Sequence, residues 1–110
     1  MDESSALAAF SALSQPTRLA VFRVLIQAGP VGMAAGEMSD KLDVRQNTLS
    51  ANLSVLLNAG LLRNERQGRS IRYFVDMNGV RGLLIFLLQD CCGGQAKDCG
   101  PLIADLCCGC

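Results

Sequence analysis

The residues best suited to chemistry are six cysteines, all within the last twenty positions of a 110-residue chain: Cys91, Cys92 and Cys99, then Cys107, Cys108 and Cys110. Thiolates are soft ligands that select thiophilic centres. The first group stands in Asp90-Cys91-Cys92-Gly93-Gly94-Gln95-Ala96-Lys97-Asp98-Cys99. Adjacent cysteines serve one centre only if the chain unwinds, which Gly93 and Gly94 permit. A structural zinc site needs four ligands, and six thiols could supply them. Paired thiols are also how redox sensors form reversible disulfides. Plain burial as small hydrophobes fits poorly with clustering beside glycines in a polar tail. The chain contains no histidine, so an imidazole general base is excluded, and no Gly-rich cofactor motif is present; the pattern does not read as an enzyme.

A second set of chemically suggestive residues lies between Arg45 and Leu61. Leucines at 49, 53, 56 and 57 recur at i, i+4, i+7 and i+8, which predicts one apolar stripe on a helix. Asn47, Ser50, Ala51 and Ser54 then share the opposite face, and Gly60 supplies the stop. A solvated helix face is usually rich in Lys and Glu. This one instead carries short polar groups, with Gln46 at its leading end, that suit close approach to base edges and phosphates. An ordinary amphipathic helix would show the same leucine stripe, so its surroundings decide.

The surroundings are basic. Formal charge is zero over the whole chain. Residues 41–81, however, carry Lys41, Arg45, Arg63, Arg66, Arg69, Arg72 and Arg81 against Asp43, Glu65 and Asp76, a net +4, while the segments on either side are each −2. A neutral total thus hides a basic centre of the kind that meets a polyanion. One domain of mainly helical type is expected from the length and the Leu- and Ala-rich composition. Met1-Asp2-Glu3 is acidic where a secretory signal would be positive, and the longest apolar run, Leu83 to Leu88, is too short to span a bilayer. A cytoplasmic location is expected, where thiols stay mostly reduced.

The elements that position these residues read as follows. Leu7, Phe10 and Leu13 predict a short first helix over 6–13. Ser14 is expected to cap a second, with Pro16 in its first turn and Leu19, Phe22, Leu25 and Ile26 as its buried stripe, ending at Ala28-Gly29-Pro30. A loop over 31–35 leads to a two-turn helix over 36–42, with Ala35, Met38 and Leu42 on one face. Two short helices joined by a tight turn, the second with a polar outer face, form a helix-turn-helix pattern, although an αα-hairpin looks alike. Leu61 to Glu65, a turn at Arg66-Gln67-Gly68-Arg69, and Ser70 to Val75 predict a β-hairpin with arginines at 63, 66, 69 and 72. Edge strands also carry charge to deter aggregation, but four arginines against Glu65 exceed that need. Asp76-Met77-Asn78 is expected to cap a last helix from Val80 to about Cys91, with Val80, Leu83, Leu84 and Leu87 as one stripe. Apolar residues almost all round that helix imply a second copy covering it. The fold class is therefore mainly α with a β-hairpin wing: a winged helix-turn-helix of about five helices, as a homodimer. Residues 1–92 form its DNA-binding and dimerisation domain, and 93–110 a Cys/Gly-rich tail.

Ser14-Gln15-Pro16-Thr17-Arg18-Leu19, the stretch with Ser50 and Leu53, the Ala59-Gly60-Leu61 close, and Gly68-Arg69 together resemble the ArsR-type (ArsR/SmtB) winged-helix repressors from about Ala6 to Cys99. The resemblance implies a homodimer that binds operator double-stranded DNA and releases it on binding a metal or metalloid. Many relatives carry a Cys-x-Cys box on the third helix, here Gly36 to Leu42 without cysteine, and a histidine where this chain has Asn52. The family's imidazole and carboxylate zinc site therefore cannot be assembled in its usual form.

Cys91-Cys92-Gly93-Gly94 followed by Cys99 resembles the arsenic-responsive branch. By position, that implies Cys91, Cys92 and Cys99 as ligands to As(III) as inducer, and likewise Sb(III) or methylated As(III). Cys107, Cys108 and Cys110 lie outside the family pattern and offer a second thiol cluster. DNA contacts are expected from Gln46, Asn47, Thr48 and Ser50 in the major groove and from Arg66, Arg69 and Arg72 on phosphates. The alternatives are a repressor of the same fold responding to thiol oxidation or to Zn, Cd or Pb, and a metal-sequestering protein.

Overall fold

Asp2 starts the first helix earlier than its apolar spacing suggests. Its carboxylate accepts the Ser5 N–H at 2.8 Å, and α1 spans Glu3–Leu13 with Glu3 in the first turn, where a negative charge opposes the helix dipole. The structure, a computed structural model, describes residues 1–89. All six cysteines and the expected boundary at 92/93 lie outside the described residues.

The face that α1 buries is not the one that predicts it. Ala6, Ala9 and Ala12 are buried, whereas Leu7 is 60% and Phe10 39% exposed. Ser14 closes α1, its hydroxyl donating to the Ser11 carbonyl at 2.9 Å, rather than capping α2. Gln15 takes that role, accepting the Arg18 N–H at 2.8 Å, and Pro16 opens α2 (Pro16–Ala28). The buried stripe of α2 is Val21 and Leu25, with Phe22 partly buried, while the expected Leu19 and Ile26 are exposed. The rotation follows from the packing: α2 is met by α1, by the helix-turn-helix pair α3 (Ala35–Leu42) and α4 (Gln46–Asn58) and by strand β3 (Ser70–Val75), and Val21 and Leu25 are the residues it buries among them.

A 3-10 turn, Gly29–Val31, and a strand β1, Met33–Ala34, replace the expected loop. Helix α3 then covers Ala35–Leu42, with Met38 fully buried and Ala35 and Leu42 half-buried, and α4 covers Gln46–Asn58. Strands β2 (Leu62–Gln67) and β3 (Ser70–Val75) form the hairpin, and β1 adds to its far side, giving an antiparallel sheet in the order β1-β3-β2. Gly32, at φ +64°, makes that addition sterically feasible, because a Cβ there would stand 2.5 Å from the Tyr73 carbonyl oxygen.

The last helix, α5, covers Met77–Leu88, capped by Asp76, whose carboxylate accepts the N–H groups of Asn78 and Gly79. Of its expected stripe, Leu83 is buried and Val80 partly so, but Leu84 and Leu87 are exposed; Phe86 turns toward the core instead, and Ile85 is 60% exposed. At its start Gly79 lies against the chain that leaves α4: a Cβ on Gly79 would meet the Gly60 carbonyl oxygen at 1.8 Å. The Asp76 N–H also donates to the Leu61 carbonyl at 2.9 Å. Leu49, Leu53 and Leu56 of α4, with Val21, Leu25, Met38 and Leu61, make the centre of the core.

Candidate nucleic-acid interface

The turn between α3 and α4 is fixed by one serine. Ser39 accepts the Val44 N–H on its carbonyl at 3.1 Å, and its hydroxyl donates to the Val44 carbonyl. Asp43 adopts a left-handed conformation between them (φ 53°), which a short polar side chain tolerates. This places Arg45 at the N-cap of α4 and Gln46 in its first turn.

From there the 3.6-residue period does the sorting. Leu49, Leu53 and Leu56 point into the core, and Gln46, Asn47, Thr48, Ser50, Ala51 and Ser54 are exposed on the outer side, as the sequence predicts. The first turn contains no carboxylate. Its amide groups and the positive end of the helix dipole therefore face outward without an acidic neighbour on the helix, a setting that favours phosphate. Asn47 folds back, its side-chain oxygen accepting the Thr48 N–H at 2.8 Å. Gln46, Thr48 and Ser50 make no side-chain hydrogen bond among the described residues, so these groups are available to a partner.

The hairpin divides its four arginines into two pairs. Gln67 pairs with Ser70, leaving Gly68 and Arg69 as a two-residue loop with Gly68 at φ +64°, the arrangement of a tight hairpin turn. Arg66 and Arg69 sit exposed at this tip and have no ion pair among the described residues. Arg63 instead lies over the Phe74 ring, 4.3 Å from its centroid, and pairs with Glu65 at 3.5 Å. Arg72 is spent inward: its Nε donates to the Val31 carbonyl (2.7 Å), its Nη2 to the Gly32 carbonyl (3.2 Å) and its Nη1 to the Glu37 carboxylate (3.0 Å). The expectation that Arg72 holds phosphate therefore gives way to a different role. Its guanidinium ties the wing to the start of α3, where three of its five N–H donors are engaged. Glu37 also accepts the Ala34 N–H at 3.0 Å. That backbone hydrogen bond first, and then the Arg72 charge, hold its carboxyl below the usual carboxylate range.

Helix, tight turn, second helix with a polar outer face, and hairpin with a cationic tip now stand in one arrangement. The helix-turn-helix domain family matches residues 13–65. The chain is 32% identical to the HTH-type transcriptional regulator YbzH of Bacillus subtilis over 90 residues, 71% of this chain and 90% of that protein. The chain belongs to the HTH-type transcriptional regulators. Its fold is that of the ArsR-type winged helix. An ArsR-like transcriptional regulator from Rhodococcus sp. RHA1 superposes with a TM-score of 0.71 at 22% identity, covering 94% of this regulator and 93% of that chain. The homodimeric winged helix-turn-helix DNA-binding domain of Mb0332 from Mycobacterium bovis superposes at 0.65 and 22% identity over 77% of each.

Sequence reasoning placed Gln46, Asn47, Thr48, Ser50, Arg66 and Arg69 on the exposed surface of the regulator, and the structure has them there. It missed Arg18, Glu37 and Asn52. Asn52 carried a signal: it falls inside the leucine stripe of α4, where a polar residue needs a partner. Arg18 and Glu37 carried none, since both look like ordinary surface charges. Cys91, Cys92, Cys99, Cys107, Cys108 and Cys110 lie beyond the described residues, and among the described residues no cluster of metal-ligating side chains occurs. No described helix is long and apolar enough to cross a membrane.

Proposed function

We propose that this regulator is a homodimeric repressor that grips its operator with α4 and the wing tip and releases it when As(III) is captured by Cys91, Cys92 and Cys99. The observation that carries the DNA half is the exposed row Gln46, Asn47, Thr48 and Ser50 at an acid-free helix start, in a protein whose wing arginines Arg66 and Arg69, without an ion pair among the described residues, stand at the hairpin tip. The row reads bases in the major groove and the tip arginines hold phosphates or a narrow minor groove. Arg72 keeps the wing at its angle and leaves the phosphates to Arg66 and Arg69.

Two recognition helices are needed to read two half-sites, and the surface that pairs them is apolar. Leu7 and Phe10 of α1 and Leu84, Ile85 and Leu87 of α5 are exposed on two helices that pack against each other. Covering that surface with a second copy removes it from water; the Mb0332 domain is likewise homodimeric.

The sensing half rests on donor chemistry. Three thiolates suit a trivalent arsenic or antimony centre, including methylated As(III), and Cys91 follows α5 by three residues. Capture there would change the spacing of the two recognition helices, so that both half-sites no longer engage at once. Cys107, Cys108 and Cys110 would assist capture.

Fluorescence anisotropy of a duplex from upstream of this gene, under reducing conditions, tests both halves. Wild type should bind and then release with arsenite, while Cys91→Ser, Cys92→Ser and Cys99→Ser should bind and stay bound. Release by cadmium or diamide but not arsenite would keep the repressor and replace the inducer. Absence of DNA binding would end the repressor reading.

A further inference from the structure

One side chain joins three helices. Arg18, in the first turn of α2, turns back onto the end of α1, its Nε donating to the Ala12 carbonyl at 2.6 Å and its Nη2 to the Ser11 carbonyl at 3.5 Å. Both are carbonyls of the last turn of α1; that of Ser11 also accepts the Ser14 N–H and hydroxyl, and a guanidinium there meets the negative end of the helix dipole. The remaining arm, Nη1, donates to the side-chain oxygen of Asn52 on α4 at 3.3 Å. The Asn52 amide nitrogen in turn donates to the Thr48 carbonyl at 3.1 Å. Asn52, 9% exposed, is the one buried polar residue among the described residues.

We infer that Arg18 and Asn52 are positioning residues for DNA readout, setting the roll of α4 relative to α1. The inference rests on the reading of α4 as the base-reading helix. Besides this link, α4 is held at its start by the Ser39–Val44 turn and along its length by Leu49, Leu53 and Leu56, and ridge-into-groove packing of helices leaves a scatter of about 15–20° in angle. A hydrogen bond weakens steeply with misalignment, so the Arg18–Asn52 contact selects one rotation from those the leucines tolerate. Asn52 passes that choice to Thr48, whose turn carries Gln46, Asn47, Thr48 and Ser50. The other end of the chain of contacts is α1, which bears the exposed Leu7 and Phe10. The roll of the reading face is thereby referenced to a helix at the apolar surface rather than to α2 alone.

The test uses the full chain and a duplex that wild type enriches from a random library. Anisotropy compares this duplex with a scrambled one for wild type, Asn52→Leu and Arg18→Lys, with urea unfolding of each variant alongside. Asn52→Leu keeps an apolar volume in the stripe; Arg18→Lys keeps a cation at the end of α1 but lacks the fork that reaches Asn52. Both variants should lose about tenfold in the ratio of selected to scrambled affinity, roughly the cost of one misread base pair, while scrambled binding, carried by the wing arginines, stays put. If one variant fails to fold, the other still decides. An unchanged ratio overturns the proposal, as does a loss of both affinities in step with the folded fraction, which would mark a purely structural role. If wild type enriches no duplex at all, the base-reading premise fails first.

Discussion

Helices α1 and α4 both lean on α2, yet they are packed inside out relative to each other. In α4 the leucines go in and the small residues go out; in α1 Ala6, Ala9 and Ala12 go in and Leu7 and Phe10 go out. Small side chains let α1 approach its neighbours closely, and in exchange its large ones meet water. A helix that exposes its largest apolar groups offers apolar area to a partner, whereas one that exposes Asn, Ser and Thr offers hydrogen-bonding groups. The two helices therefore sort the surface into an apolar side and a polar, hydrogen-bonding side.

The contrast breaks most visibly in the core. Leu53→Ala should cost about 2–5 kcal/mol in urea unfolding because it opens a cavity at the centre of the core. Leu7→Ala should leave the unfolding of the dilute monomer within roughly 0.5 kcal/mol and instead raise the dimer dissociation constant seen by sedimentation. Equal effects from the two would dissolve the distinction. Ala9→Leu tests the same idea from the other side. If the alanine face is a close helix contact, the added bulk should cost about 1–3 kcal/mol of stability.

On the polar side, Arg69→Ala should weaken duplex binding and make the slope of log affinity against log salt shallower by about one unit. Arg72→Ala should lower the unfolding midpoint and reduce DNA binding through the displaced wing. An Arg69→Ala slope that matches wild type would remove the tip from the interface.

The smallest effect belongs to Glu37. Its carboxyl is held below its ordinary value in the fold, so its contribution is present above the unfolded carboxylate range and is lost as pH falls through the lower folded value. Acid titration of unfolding should show a small loss of stability in that range for wild type and a flatter profile for Glu37→Gln. Profiles that coincide would mean that the Arg72 tie does not depend on the carboxylate charge.

Much of this arrangement could be read from residue spacing, and the misses have physical causes. Periodicity located the five α-helices among the described residues and the hairpin, because a stripe of leucines or an alternation of strand formers is a local property. Which stripe faces inward is not local. Leu19, Ile26, Leu84 and Leu87 have the right spacing for burial, and only the positions of neighbouring elements put Val21 and Phe86 in their place. Strand β1 is two residues long, too short for any period, and exists because β3 offers an unpaired edge to Met33 and Ala34. The arginines of the wing look equivalent in one dimension. Register separates them: Arg63 falls opposite Phe74 and Arg72 beside Ala34, while Arg66 and Arg69 reach the tip.

The close approach of Gly79 to the Gly60 carbonyl carries one more consequence. Two backbones in contact leave no side-chain cushion to shear, and the Asp76 to Leu61 hydrogen bond closes the joint beside them. Helix α5 is thus bolted at its base directly to the chain leaving α4. A load applied at its far end, near Leu88, would be felt at the reading face as a tilt of the whole protomer.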